Sequence, residues 1–249
     1  MIINEKNGSD YLKRITESIR ASRYSRIPYE YDFNKSMAML EAIGKGFNPA
    51  FKLEGEYFEL YKKLLMYFMA DPEFKGDLQR GLMLRGTLGS GKTLAFAIFQ
   101  KFMQYNGMAH YTSSNIPEQG NCSYRMIRCM DIKAFYEDTQ PGKGGEPAVH
   151  EFKFSRNIIC FDDLGEETKG GKEKAFYYGH ETNLMEDILT ARYELFLKFG
   201  TITHCTTNYS FDLEGKRHFR TLYGDRVEDR MKEMFNEIIF KSESKRVRL

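Results

Sequence analysis

Residues 86–93 read Gly86-Thr87-Leu88-Gly89-Ser90-Gly91-Lys92-Thr93 and fill every fixed position of the pattern G-x-x-x-x-G-K-[ST]. The apolar run 81–85 before them predicts a short buried strand, and the run 94–99 after them predicts an apolar helix. A strand, a glycine-rich turn and a helix in this order are the setting in which the pattern binds phosphate. Residues 86–93 are therefore a candidate phosphate-binding loop.

The residue types in this loop match the chemistry of a nucleoside triphosphate. Glycine at 86, 89 and 91 allows backbone conformations that are closed to residues with a Cβ, and it allows close approach to a ligand. The loop N–H groups can then face phosphate oxygens, and the positive end of the helix dipole adds to the attraction. In this interpretation Lys92 neutralises the β- and γ-phosphates and the Thr93 hydroxyl ligates Mg²⁺, so ATP and Mg²⁺ are the predicted cofactors.

Length and composition limit the possible classes of protein. The 249 residues leave room for one α/β domain and a smaller attachment. A net charge of +2 is close to neutral, so any nucleic-acid contact must come from a local basic patch. Cys160 and Cys205 lie in apolar runs that favour buried, reduced thiols. Neither a signal peptide nor an apolar run of membrane-spanning length is visible, so we expect a cytoplasmic protein.

The chain divides into a helical N-terminal region, expected at residues 1–76, and a nucleotide-binding core at 77–249. Within the first part the clearest helix is expected at 55–70, and a shorter one at 36–43. The longer helix is predicted because apolar residues recur on one face, at 57, 60, 61, 64, 65 and 68. We expect that face to pack against the core, and contact with a partner protein is the alternative role for the region.

From residue 81 onward, predicted strands and helices alternate, which favours an α/β fold with a parallel sheet flanked by helices. The strand candidates are 82–85, 125–130, 157–162, 200–206 and 237–240, with a possible extra strand at 109–113. Asp131 is expected to cap a helix over 132–137. Glycine-rich segments at 139–147 and 166–174 are expected to be loops.

Two acids end the third of these strands, where the second half of an ATPase site is expected. Asp162 would hold Mg²⁺, directly or through water, and Asp163 would orient and activate the attacking water. Asn208 follows the next strand, and the carboxyl ends of parallel strands open on the same edge of a sheet. It is therefore placed to contact the γ-phosphate or the water. Arg226 and Arg230 are four residues apart, so a helix puts them on one face, where a neighbouring subunit's ATP could meet them.

Together these segments resemble the AAA+ ATPases of the DnaC/DnaI helicase-loader and IstB transposition-helper group. The resemblance covers residue 78 to the C-terminus, and the order and spacing of its motifs agree. It rests on Gly86–Thr93, Ile158–Gly165, Arg192-Tyr193-Glu194, Thr206-Thr207-Asn208, Tyr223–Met231, and Ile238-Ile239-Phe240 followed by Arg246.

The resemblance implies roles for single residues and for the assembly. Asn208 becomes the sensor-1 residue, Arg230 the first choice for an arginine finger with Arg226 second, and Arg246 a candidate sensor-2 arginine. It also implies a ring or spiral homo-oligomer with ATP at the subunit interfaces, single-stranded DNA binding, and a replicative helicase or a transposase as protein partner. Because nine residues follow Phe240, we expect no C-terminal lid domain.

Other functions remain open at this point. A P-loop kinase, or a nucleotide-gated scaffold without turnover, would share the loop at 86–93. The terminal strand with its short tail disfavours the kinase, and Asp162-Asp163 disfavours the scaffold. Three basic clusters could follow a DNA backbone, although such clusters are more often only solvated. They are Lys169, Lys172 and Lys174; Lys216, Arg217, His218 and Arg220; and Lys241, Lys245, Arg246 and Arg248.

Overall fold

A computed structural model of the chain describes residues 24–109, 124–168, 174–212 and 217–241. Its α-helices are α1 (Phe33–Phe47), α2 (Gly55–Phe68), α3 (Lys92–Tyr105), α4 (Cys129–Tyr136), α5 (Glu146–Phe154), α6 (Leu184–Phe199) and α7 (Phe219–Met234). Its strands are β1 (Gly81–Gly86), β2 (Arg125–Arg128), β3 (Ile159–Leu164), β4 (Ala175–Tyr177), β5 (His180–Thr182), β6 (Thr203–Thr207) and β7 (Phe235–Phe240). A 3₁₀ turn, Glu166–Thr168, follows β3.

Five strands form one parallel sheet in the order β2-β3-β6-β1-β7. The first strand of the core therefore lies inside the sheet, between β6 and β7. This order makes β3, β6 and β1 direct neighbours. Since parallel strands end on the same edge, whatever follows these three strands meets at one place. The predicted α/β fold with a parallel sheet is confirmed.

Helices cover both faces of the sheet, and the side chains of β1 alternate between the two layers. Leu82 and Leu84 belong to a cluster with α1, α2 and α3, whereas Met83 belongs to a second cluster with α4, α5, α6 and α7. Strand β3 divides in the same way, with Cys160 on the first face and Phe161 on the second. The apolar residues of β1 and β3 are consecutive rather than alternating because both faces of these strands are buried.

The helices of the N-terminal region belong to the first of these layers. Tyr61 and Phe68 of α2 stack on the ring of Phe99 in α3, with centroid distances of 5.7 and 4.6 Å. The predicted helix at 55–70 is confirmed to within two residues, and the shorter helix extends beyond 36–43 at both ends. The domain boundary at residue 76 remains a prediction, because one hydrophobic cluster spans both sides of it.

Several predicted boundaries were wrong. Strand β2 ends at Arg128 and α4 begins at Cys129, so Asp131 is not an N-cap. Asp131 lies in the first helical turn, where its carboxylate accepts hydrogen bonds from the Arg128 guanidinium at 2.9 and 2.8 Å. Helix α5 starts inside the segment expected to be a loop, at Glu146. The possible strand at 109–113 lies almost wholly outside the described residues.

One element had no sequence prediction. Strands β4 and β5 form a short antiparallel hairpin between the 3₁₀ turn and α6. Its two-residue turn, Tyr178-Gly179, has φ angles of 45° and 88°, the left-handed conformation that tight hairpin turns require. Tyr178 pairs its hydroxyl with the carbonyl of Thr139, which ties the hairpin to the segment before α5.

Candidate nucleotide site

The loop at 86–93 connects β1 to α3 in a conformation that needs its glycines. Gly89 and Gly91 have φ angles of 81° and 90°, in the left-handed region. At Gly86 the constraint is space, because a Cβ there would lie 2.4 Å from the carbonyl oxygen of Phe240 on β7. Strand β7 thus supports the beginning of the loop, and only glycine fits between them.

Lys92 lies at the start of α3 and is almost fully buried. Its Nζ donates hydrogen bonds to the carbonyls of Gly86 and Thr87, at 2.9 and 3.0 Å. It also donates to Oδ1 of Asn208, at 2.9 Å. The lysine of the loop and the asparagine after β6 are therefore in direct contact, across 116 residues of sequence.

Thr93 and Asp162 form the second contact between the motifs. The Thr93 hydroxyl donates to Oδ1 of Asp162 at 2.8 Å, and the Thr206 hydroxyl on β6 donates to the same oxygen at 2.6 Å. Burial raises the pKa of the Asp162 carboxyl, and the hydrogen bonds from Thr206 and Thr93 oppose that effect by favouring the charged form. Thr206 is a functional residue that the sequence analysis missed in this role, because the contact depends on β3 and β6 being neighbours.

Asp163 occupies an irregular point at the end of β3. The register between β3 and β6 shifts between Phe161 and Leu164, and Asp163 has a φ of 56°. Its backbone N–H donates to the Thr206 hydroxyl at 2.8 Å. The irregularity turns the second acid away from the ladder, so that Asp163 lines the same cavity as Lys92 and Thr93.

Asn208 continues the contact network towards the 3₁₀ turn. Its Nδ2 donates to Oε1 of Glu166 at 3.1 Å, and the guanidinium of Arg217 lies 3.7 Å from the same carboxylate oxygen. The Glu166 side chain is only 6% exposed, so a buried carboxyl group lies in contact with Asn208. The loop predicted at 166–174 thus begins with an ordered turn, and its first residue belongs to the site.

Glu167, the next acid, has a different environment. Its carboxylate accepts hydrogen bonds from the backbone N–H of Gly165, at 2.9 Å, and from the hydroxyl of Tyr223 on α7. Burial raises the pKa of the Glu167 carboxyl above its usual range. This side chain holds the turn against α7, which makes it a less suitable partner for water than Asp163.

The predicted arginines are placed in different ways. Arg230 is mostly covered: its guanidinium stands 5.0 Å from the ring centroid of Tyr193 and 3.7 Å from a carboxylate oxygen of Glu194. Arg226, one helical turn earlier, is exposed. Gly224, with a φ of 76°, interrupts the helix just before them. Arg246 lies outside the described residues.

Arg192, one of the residues that carry the resemblance, is structural in its contacts. It is fully buried on α6 and donates to the Thr203 hydroxyl at 2.9 Å and to backbone carbonyls of Ser155, Asn157 and Ile202. It therefore anchors α6 to the chain segments that lead into β3 and β6. Asp162 and Asp163 lie near the end of β3 and Asn208 directly follows β6, so Arg192 helps to fix the positions of these predicted site residues.

The N-terminal region contributes directly to the site, which the sequence analysis did not predict. A cavity of about 890 Å³ lies over the loop, and residues between α1 and α2 form one wall. Phe47 at the end of α1, with Asn48 and Phe51 in the connection to α2, lines the cavity together with Leu88 and Lys92. The hydroxyl of Tyr57 on α2 donates to the carbonyl of Ser90 inside the loop, at 2.5 Å. The apolar spacing of α2 predicted packing, but it contained no signal for the destination of this hydroxyl.

The donor set at Thr93 and Asp162 fits Mg²⁺. A hydroxyl and a carboxylate oxygen are hard ligands, which suit Mg²⁺ rather than a thiophilic metal. Within the described ranges, no group of three or more His, Cys, Asp or Glu residues could hold a metal ion by itself. Two protein ligands, with water and phosphate oxygens completing the shell, are the usual arrangement for Mg²⁺ in nucleotide sites.

The remaining predictions concern the cysteines and the basic clusters. Cys129, Cys160 and Cys205 are buried free thiols, and burial raises the pKa of each one well above its usual value. Lys174 is exposed and lies 3.6 Å from a carboxylate oxygen of Glu181. Several cluster members lie outside the described residues: Lys169, Lys172, Lys216, Lys245, Arg246 and Arg248. In the described part of the chain, no helix combines the length and hydropathy needed to cross a membrane.

Several solved structures resemble this chain in fold. A primosome component from Streptococcus pyogenes serotype M3 has a TM-score of 0.50 and 16% identity, over 80% of this chain and 87% of its own. DnaI has a TM-score of 0.51 and 16% identity, over 80% and 89%. The DnaC helicase loader has a TM-score of 0.46 and 19% identity, over 76% and 93%. No protein-family profile and no curated protein sequence matches the chain. The chain therefore shares the fold of DnaI and of this primosome component, the α/β fold that its motifs predicted.

Proposed function

We propose that the protein binds ATP with Mg²⁺ and hydrolyses it. The observation that carries this proposal is the convergence of three strand ends: the loop after β1, Asp162 and Asp163 on β3, and Asn208 after β6. Hydrogen bonds link the loop to Asp162 on β3 and to Asn208 after β6. Such a site can hold a triphosphate on one side and position a water molecule on the other.

Each residue has a role that follows from its position. The loop amides and Lys92 bind the β- and γ-phosphates, and Lys92 balances negative charge beside the group to be transferred. Thr93 and Asp162 would hold Mg²⁺, which supplies charge neutralisation at the phosphates when it is bound. Asp163 accepts a proton from the attacking water, and Asn208 orients that water or the γ-phosphate. Arg226 or Arg230 of a neighbouring subunit would stabilise the charge that develops during transfer.

Two substitutions test binding and turnover separately. Lys92→Ala should abolish ATP binding, because the charge beside the phosphates is lost. Asp163→Asn should retain binding and lose hydrolysis, because the amide cannot accept the proton. Lys101→Ala is a matched control, since Lys101 is exposed on the same helix as Lys92. Wild-type turnover by Asp163→Asn would move the water-activating role to another acid, of which Glu166 lies nearest to Asn208.

For the biological role, we propose action on an oligomeric DNA complex, with loading of a replicative helicase as the first choice. The fold shared with DnaI and with a primosome component supports this choice. Transposition help of the IstB type is the alternative that the motifs leave open. Pull-down of a purified replicative helicase, but not of a transposase, in the presence of a non-hydrolysable ATP analogue would favour loading, and the reverse result would favour transposition. In either role we propose an ATP-dependent homo-oligomer, with residues 1–76 available for the partner.

Single-stranded DNA binding belongs to the same proposal. Fluorescence anisotropy with labelled oligonucleotides should show binding with weak sequence preference, and affinity should fall steeply with salt because phosphate contacts release counterions. Neutralising Lys169, Lys172 and Lys174 together should reduce the salt slope if that segment makes the contact. Absence of binding at low salt with an ATP analogue present would count against a DNA role.

A further inference from the structure

We infer that Tyr57 is a positioning residue for the phosphate loop, through which helix α2 sets the affinity for nucleotide phosphates. This inference rests on the proposed nucleotide binding. It starts from one bond, the 2.5 Å hydrogen bond from the Tyr57 hydroxyl to the carbonyl of Ser90. The bond joins the N-terminal helical layer to the middle of the loop, across 33 residues of sequence, and it is buried.

The bond fixes the orientation of the peptide group between Ser90 and Gly91. In a trans peptide unit, the carbonyl of one residue and the N–H of the next point in opposite directions. Holding the carbonyl of Ser90 towards α2 therefore turns the N–H of Gly91 away from α2. In a loop of this pattern, backbone N–H groups are the phosphate donors. Tyr57 thus fixes the orientation of one donor without touching the phosphate itself.

The packing around Tyr57 leaves the loop little freedom at this point. The side chain is 6% exposed, and a Cβ placed on Gly91 would lie 3.1 Å from its hydroxyl oxygen. Its ring meets the ring of Phe240 edge-on, with a centroid distance of 6.3 Å. Phe240 is also the residue whose carbonyl lies against Gly86. The loop is therefore held at Gly86 by β7 and at Ser90 by α2, and the two supports touch each other.

The test is Tyr57→Phe, which keeps the ring and removes the hydroxyl. We expect the Kd for ADP and for a non-hydrolysable ATP analogue, both with Mg²⁺, to rise roughly 2- to 12-fold, the value of one net intramolecular hydrogen bond. The KM for ATP should rise by a similar factor while kcat stays near the wild-type value, since the substitution acts on binding rather than on the transferred group. Adenosine, used as a competitor, should bind both proteins equally, because it has no phosphate to sense the loop.

Tyr67→Phe is the matched control. Tyr67 is also on α2 and also donates its hydroxyl to a backbone carbonyl, that of Arg80, at 2.7 Å. Arg80 precedes β1, at the opposite end of the strand from the loop. Both variants should lose a similar amount of thermal stability, measured by circular dichroism, but only Tyr57→Phe should bind ADP more weakly.

Three results would overturn the inference. Wild-type ADP affinity in Tyr57→Phe would show that the bond does not orient the loop. Equal weakening of ADP binding in both variants would show a general stability effect. Equal weakening of adenosine and ADP in Tyr57→Phe would place the effect in the cavity wall instead. If the wild-type protein binds no nucleotide at all, the proposed function itself fails, which these comparisons distinguish from failure at Tyr57.

Discussion

Replacing Thr206 with valine should shift the pH dependence of ATP hydrolysis without removing any ligand of the metal. Thr206 is fully buried on β6, and its hydroxyl donates to Oδ1 of Asp162 at 2.6 Å. Valine has nearly the same shape, so the substitution removes only the hydroxyl, which is the donor to Asp162 and also the acceptor for the backbone N–H of Asp163. Without it, the protonated form of Asp162 becomes more favourable, which adds to the effect of burial on the pKa of that carboxyl.

The size of the effect follows from the hydrogen bond. A hydrogen bond to a charged group contributes about 1.5–3 kcal/mol, and one pH unit corresponds to about 1.4 kcal/mol. Mg²⁺ needs the carboxylate, so activity is lost as pH falls and Asp162 is protonated. The acid limb of the rate–pH curve should therefore move to higher pH by about one to two units in Thr206→Val. At alkaline pH the variant should recover much of the wild-type rate.

Thr93→Val provides the comparison that separates the two roles of these hydroxyls. Thr93 also donates to Asp162, at 2.8 Å, but it is in addition the predicted metal ligand of the loop. The ATPase rate of Thr93→Val should remain low at every pH, because this variant lacks the metal ligand as well as the hydrogen-bond donor to Asp162. Steady-state ATPase assays between acid and alkaline pH, at saturating Mg²⁺, would measure both curves. An unshifted curve for Thr206→Val would refute the reasoning, because the hydrogen bond would then not control the ionisation of Asp162.

Three further predictions concern assembly and stability. Mixing Lys92→Ala with Arg226→Ala should restore part of the ATPase rate if Arg226 acts in trans, and the parallel mixture with Arg230→Ala tests Arg230 in the same way. If a mixture stays inactive although the two variants assemble together, the arginine tested is not a trans-acting finger. Arg192→Leu should lower the free energy of unfolding by about 4 kcal/mol or more, because the buried hydroxyl of Thr203, the buried carbonyl of Ile202 and two half-buried carbonyls lose their donor. A loss near zero in urea titration would contradict this. His204 is fully buried on β6, and burial lowers its pKa well below 6.5, so that below this pH the unfolded chain binds a proton that the folded protein does not. Stability should therefore fall below pH ~6.5 by up to about 1.4 kcal/mol per pH unit, and His204→Asn should lose this slope.

The sequence was sufficient for the parts of the site that lie in continuous motifs. The glycines of the loop, Lys92 and Thr93 have a fixed spacing, because backbone conformation over a few residues determines their function. Asp162 and Asn208 could be placed beside the loop because parallel strands end on a common edge. In the structure Lys92 donates a hydrogen bond to Asn208, and Thr93 donates one to Asp162.

What could not be predicted depends on the neighbours that the fold supplies. The contact of Thr206 with Asp162 requires β6 to lie beside β3, and an alternating pattern of apolar residues does not specify strand order. The bond from Tyr57 to Ser90 requires a particular rotation of α2, whereas its apolar spacing fixes only which face is buried. The hairpin of β4 and β5 has three residues in each strand, which is too few for a period of two to be visible.

The left-handed backbone at position 163 has a consequence for the range of sequences that this site can accept. At a φ of 56°, aspartate, asparagine and glycine are the residues that adopt the conformation most readily. Each residue in a saturation library at this codon should therefore have to pass two thresholds, one for folding and one for turnover. Folding should admit these three residues and penalise branched or bulky ones, whereas turnover should require an acid. Glutamate retains the charge but is a poorer fit to the backbone, so aspartate should be the residue that passes both thresholds best.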